Sequence, residues 1–172
     1  MRKFMYIGLV LSLCLAMLGC SNPSPSTKKE ASDRTKVKVE RVVDGDTLQI
    51  TINGSKERLR LIGVDTPETK KADTPVMFWG EEASAYTKKR LEGKTVELEW
   101  DVEPKDQYGR YLAYIWIDDE MFNRTLIQEG YGRMVTFQPN VKYVDTFKKD
   151  QEAARKKGNG IWKDYDGAFK RK

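Results

Sequence analysis

Asn53-Gly54 is the dipeptide that most narrows what this chain can become. It is the strongest short-range signal for a two-residue hairpin loop, because both central positions of that turn take positive φ. Before it, "TLQITI" (47–52) alternates, with Leu48, Ile50 and Ile52 on one face and Thr47, Gln49 and Thr51 on the other. After it, "KERLRLIGV" (56–64) returns with Leu59 and Leu61 set against Arg58 and Arg60. A two-residue loop dictates the register: Thr47 opposite Arg60, and Asp46 opposite Leu61. The apolar sets then fall on one face, so the segment must be antiparallel sheet with one side buried.

Three further runs read as strands, "VKVERVV" (37–43), "TVELEW" (95–100) and "YLAYIWI" (111–117). Helical signals come between and after them. "EEASAYTKKRLEG" (81–93) and "VDTFKKDQEAARKKG" (144–158) carry acids early, bases late and a glycine stop, which complements the helix dipole. "MFNRTLIQEG" (121–130) places Phe122, Leu126 and Ile127 on one side. Five short strands with helices interleaved late predict an α+β protein, a five-stranded OB-fold β-barrel with about three α-helices. The 172 residues suffice for one domain with a sizeable core.

The ends read differently from the middle. Arg2 and Lys3 precede "FMYIGLVLSLCLAMLGC", uncharged from Phe4 to Cys20. A basic start, an apolar run and a small residue at the exit predict a signal peptide over 1–19. "MLGC" resembles a bacterial lipoprotein processing site, which would leave Cys20 as a lipidated first residue, with a plainly cleaved signal or an uncleaved anchor as the alternatives. Polar, Pro- and Ser-rich residues 20–36 read as a flexible tether, 37–165 as the folded domain and 166–172 as a basic tail. The expected location is extracytoplasmic, either anchored to the membrane through Cys20 or secreted, and the expected state is a monomer.

Chemistry is narrowed by an absence. The sequence has no histidine, which removes the usual general base and every His-ligated metal site. Loss of residues 1–19 would leave one cysteine and take away two of the five net positive charges, so neither an intrachain disulfide nor a structural zinc site is available. Carboxylates, Lys, Arg and Tyr remain. Asp46 shares the parity of Leu48 and Ile50, and Asp65 shares that of Leu59 and Leu61, so both carboxylates head for the apolar side, where each needs a positive partner. The hairpin register brings Asp46, Arg60 and Asp65 together. Two carboxylates with carbonyls and water make a hard oxygen site of the kind Ca²⁺ takes. Asp44 reads as a turn residue. Taken alone, Asp46 reads equally as a turn residue, Asp65 as an Asx cap, Arg60 as a surface ion-pair partner and Arg110 as a turn residue beside a strand.

"VDGDT", "RLIGVDTPET" and "YGRYLAY" occur in that order, with "EEASAYTKK" and "FNRTLIQEG" among them. Together they resemble the staphylococcal nuclease (thermonuclease) family over about residues 39–162. The resemblance implies an OB-fold nuclease that uses Ca²⁺ to cleave DNA and RNA, leaving 3′-phosphates. It implies that Asp46, Asp65 and the backbone carbonyl of Thr66 bind the ion. Arg60 and Arg110 match the phosphate-binding arginines, Glu68 the proposed general base, and Tyr108 a tyrosine near the bound phosphate. Gln107 stands where the family often has lysine, and Val135 and Phe137 stand where two tyrosines are expected, so substrate affinity should differ. Two other readings compete: a non-catalytic OB-fold module for single-stranded nucleic acid, and a surface lipoprotein that binds wall polymers.

Overall fold

In the computed structural model, residues 33–69 and 76–169 are described. Asn53 and Gly54 both take positive φ, 51° and 77°, and the hairpin they make has the expected register. β2 (Thr47–Ile52) pairs with β3 (Ser55–Leu61), with Thr47 opposite Arg60 and Leu48 opposite Leu59. The Leu61 N–H donates to the Asp46 carbonyl at 3.0 Å, extending the ladder to the carboxylate-bearing end.

β1 (Thr35–Val42) pairs with β2 on one side and with β5 (Thr95–Glu99) on the other, and β5 pairs with β6 (Tyr111–Ile117). β6 then meets β3 in parallel, Leu59 opposite Tyr111 and Leu61 opposite Ala113, and this contact closes the five-stranded barrel. The inward faces, including Leu48, Ile50, Leu59, Leu98 and Ile115, are fully buried. The result is the OB-type α+β barrel that the alternation implied.

α1 (Gly80–Leu91), α2 (Phe122–Gln128) and α3 (Val144–Lys157) fall where three helices were expected, trimmed by one or two residues at most ends. Short pieces were not foreseen: β4 (Val64–Asp65) pairing with β8 (Arg133–Met134), β7 (Glu120–Met121), a 3₁₀ turn (Gly160–Lys163) and α4 (Tyr165–Phe169). β1 starts two residues inside the stretch read as tether, because Thr35 and Lys36 pair with Leu98 and Glu97. α4 occupies part of the stretch read as tail, with Tyr165 stacked on Trp162 at 4.9 Å and Ala168 buried. Residues 1–19, Cys20, nearly all of the tether and residues 170–172 lie outside the described residues.

One correction bears on the site. "KERLRLIGV" is not one strand, so strand parity does not carry from Leu61 to Asp65. Gly63 has φ +78°, and a Cβ there would lie 2.3 Å from the Phe147 ring of α3. Only glycine lets the chain turn against that ring. The turn is pinned by Asn123, fully buried at the start of α2, which donates to the Ile62 carbonyl at 2.8 Å and accepts from the Ile115 N–H at 2.8 Å. The barrel thus holds the position from which Val64–Asp65 fold back over the end of the hairpin.

Candidate active site

At that end a small polar cavity of about 120 Å³ opens beside the barrel. Its walls bring together six of the seven residues singled out from the sequence: Asp46, Arg60, Asp65, Thr66, Glu68 and Arg110. Asp44, Thr47 and Pro67 complete it. Tyr108 does not line it; its ring is 75% exposed beside Arg110, whose guanidinium carbon lies 5.6 Å from the ring centre.

Asp46 is the most constrained of these groups. It is buried, and its Oδ2 accepts from the Thr66 N–H at 2.8 Å, the Thr66 hydroxyl at 3.1 Å and Arg60 Nη2 at 3.0 Å. Its Oδ1 accepts from the Thr47 hydroxyl at 3.1 Å. A carboxylate this far from water is costly to bury without such partners. Gly45 allows the approach, since a Cβ there would sit 2.7 Å from the Thr66 hydroxyl oxygen.

Arg60 is held just as firmly. Nη1 donates to the Leu61 and Val64 carbonyls at 2.9 and 2.6 Å, and Nη2 to Asp65 Oδ1 at 3.2 Å as well as to Asp46. One guanidinium therefore bridges both carboxylates. The other oxygen of Asp65 accepts from Arg133, Nε at 3.1 Å and Nη2 at 3.0 Å.

Burial, and then the charge of Asp46, push the Asp44 carboxyl up to about 7. The same two causes raise Asp65, against the pull of Arg60 and Arg133. Among the described residues no three His, Cys, Asp or Glu side chains form a ready-made ligand cluster. The chemistry of the lining residues, carboxylates and hydroxyls with no sulfur or imidazole, is nevertheless of the kind that a hard divalent cation takes.

Arg110 enters from the other side and by a different device. Its Nε and Nη2 each lie 2.7 Å from Asp106 Oδ2. Asp106 Oδ1 accepts from the backbone N–H of Tyr108 and of Arg110, at 2.9 and 3.0 Å, so one carboxylate folds the loop and aims the guanidinium. Burial pushes the Asp106 carboxyl up, but these bonds outweigh it and hold it below its ordinary range. Glu68 closes the cavity from the loop after Pro67, its Oε1 accepting the Thr69 N–H at 3.1 Å.

Three participants escaped the sequence reading. Asp44 is the turn residue that the sequence implies, accepting the Asp46 N–H at 3.2 Å, but its place on the cavity wall is not legible there. Asp106 left a trace, four residues before Arg110 across a Tyr-Gly turn. Arg133 left none, because its partner Asp65 is 68 positions away.

The family model described as staphylococcal nuclease homologue matches residues 58–164. A thermonuclease of Staphylococcus intermedius is 53% identical over 124 residues, which covers 72% of this chain and 74% of that protein. A thermonuclease of Staphylococcus hyicus is 41% identical over 156 residues, 91% of this chain and 92% of its own length. Endonuclease YncB of Bacillus subtilis is 39% identical over 128 residues, 73% of this chain and 61% of that protein.

Proposed function

The chain belongs to the staphylococcal nuclease family and is a nuclease acting on nucleic acid, and from that premise we propose a Ca²⁺-dependent phosphodiester hydrolysis run by the residues of this cavity. The observation that carries the reading is the convergence of Asp46, Arg60, Asp65, Thr66, Glu68 and Arg110 on one polar space of about 120 Å³. The proposed substrates are DNA and RNA, and the proposed products carry 3′-phosphates.

In the proposed reaction Asp46, Asp65 and the Thr66 carbonyl hold Ca²⁺, which when bound neutralises and orients the phosphate. Asp44 adds negative charge behind them. Arg60 and Arg110 grip non-bridging phosphate oxygens with two-pronged donors, which a lysine cannot reproduce. Both guanidiniums are already oriented by carboxylates, so little reorganisation accompanies charge growth on the phosphoryl group. Glu68 takes the proton of the attacking water, the role left open by the lack of histidine. Tyr108 flanks the phosphate from the exposed side, stacked near Arg110.

The rival reading of a non-catalytic binding module gives way to membership in a family with named nucleases. Delivery across the membrane by residues 1–19, with a lipid on Cys20, remains our reading of the sequence. The direct test is digestion of single- and double-stranded DNA and of RNA by the purified protein, with Ca²⁺ or with chelator. Cutting only in Ca²⁺, with 3′-phosphate ends, is the expected result. Full-rate cutting in chelator would overturn the metal assignment.

A further inference from the structure

A second cavity of about 240 Å³ lies across Arg133 from the first, between β8, α3 and the C-terminal turns. It is lined by Arg133, Val135, Gln151, Arg155, Trp162 and Tyr165, together with Met134. From this arrangement, and resting on the nuclease assignment, we infer that the cavity is a second substrate subsite, binding one unpaired nucleotide of a single strand beyond the phosphate being cut.

Three observations support it. The first is chemistry: a phosphate needs a cation and a base needs a flat face, and both are here. Trp162 and Tyr165 stack at 4.9 Å with planes only 9° apart, and Tyr165 is 38% exposed. The Arg155 guanidinium lies 5.1 Å from the Trp162 ring centre. Arg155 is exposed, and no carboxylate among the described residues pairs with it. Aromatic side chains set within a positively charged groove are how sequence-tolerant proteins hold single strands.

The second is connection. Arg133 touches both cavities: Nε and Nη2 hold Asp65 of the catalytic space, while Nη1 donates to the Tyr165 hydroxyl at 3.1 Å. It also offsets the charge of Asp65 along the route a phosphate chain would follow. The third is size. At about 240 Å³ the cavity is smaller than the pockets that enclose a whole small ligand, which suits one unit of a polymer held elsewhere as well.

A purely architectural account explains part of this, since basic residues end α3 where the helix dipole favours them. It does not require an aromatic stack and an unpaired guanidinium to share one cavity that adjoins the active site.

The test compares a dinucleotide substrate, which can fill only the catalytic cavity, with longer single-stranded DNA and RNA of equal length. Arg155→Gln, on an exposed helix face, and Tyr165→Ala should each lower the ratio of kcat/KM on the long strand to that on the dinucleotide by roughly tenfold. The loss should lie in KM. Arg155→Gln should also flatten the dependence of long-strand binding on log salt by about 0.7. Lys88→Gln on α1, which lines neither cavity, removes a charge as a control and should move neither quantity. Equal losses on dinucleotide and long strand in the Arg155→Gln protein would assign the effect to the catalytic cavity and overturn the inference. An unchanged ratio and salt slope would overturn it too. A wild type that cuts neither substrate would instead overturn the reaction proposed above, so the two failures are distinct. Should Tyr165→Ala not fold, Arg155→Gln decides alone.

Discussion

Two arginines face the same cavity, and the protein treats them in opposite ways. Arg60 comes from a barrel strand, is 13% exposed at its side chain, and bridges Asp46 and Asp65 while capping two carbonyls. Arg110 comes from a loop, is 29% exposed, and is held by one carboxylate four residues earlier. The first is embedded in a network that cannot lose a member without stranding a buried charge. The second is an adjustable arm at the rim. The difference teaches that the same proposed role toward a phosphate can rest on unlike supports, and that stability and activity should separate between them.

The largest effect belongs to neither arginine. If both serve only to hold charge, the group that moves the proton should matter more: Glu68→Gln should lower kcat by ~10²–10⁴ while nucleic acid still binds in Ca²⁺. Single-turnover cleavage beside a binding titration checks this, and a Glu68→Gln protein that cuts normally removes the proposed base.

The arginines themselves come next. Each change to alanine should cost ~10²–10³ in kcat, but only Arg60→Ala should also lower stability, by about 3–5 kcal/mol, because it leaves Asp46 buried without its cation. Urea unfolding of both variants in chelator tests the contrast. Equal midpoints would show that the two supports are alike. Arg60→Lys should recover stability better than turnover, since one ammonium restores the charge but not the two-pronged grip.

A smaller effect divides the regions by pH. In the cluster around Arg60, Asp44 holds its proton up to about 7 and Asp65 is raised as well, so between the unfolded value near 3.8 and about 7 the folded protein carries more protons. Without metal, stability should therefore rise as pH falls through that window and be lost as pH climbs past 7, on the order of a few kcal/mol. The Asp106 carboxyl at the rim is lowered, so its contribution has the opposite sign: present above its unfolded value and lost on acidification. Asp44→Asn should remove most of the first dependence and spare the second. Denaturant midpoints from about pH 2 to 8, with Ca²⁺ and with chelator, check both signs.

The smallest effect is at the rim. Gln107 is exposed beside Tyr108, so Gln107→Lys should lower KM a few-fold and leave kcat nearly unchanged, as uniform binding requires. A change in kcat at constant KM would assign Gln107 to the chemical step.

What could be read from residues alone follows the same division. The hairpin was legible to the residue because an Asn-Gly loop leaves no freedom of register, and with it came the neighbourhood of Asp46 and Arg60. Asp65 was placed correctly for a partly mistaken reason. Parity along one strand does not reach it; a glycine turn pressed on Phe147 and pinned by Asn123 does. Those partners lie in helices far along the chain, as does Arg133, and no local pattern encodes a contact of that span. The resemblance supplied Glu68 and Arg110, whose own surroundings look like ordinary loops. Asp44 is the turn acceptor that the sequence implies, and the same carboxylate is also a wall of the cavity, which no local pattern announces.

The barrel closes where β3 meets β6 in parallel, strands separated by about 50 residues of chain, whereas Asp46, Arg60 and Asp65 fall within a single stretch around one hairpin. Local loops close early and at little entropic cost, and long ones late. By that ordering the hairpin end that sets Asp46 beside Arg60 is assembled by neighbours in sequence, whereas Asp65, whose turn leans on Phe147 and Asn123, and Arg110, at the threshold of β6, join it only when the helices and the last strand pack. A chain that has not completed that last pairing has Asp46 beside Arg60 but lacks Arg110, the second of the proposed grips on phosphate, so the power to cut arrives with the final strand rather than with the first turn.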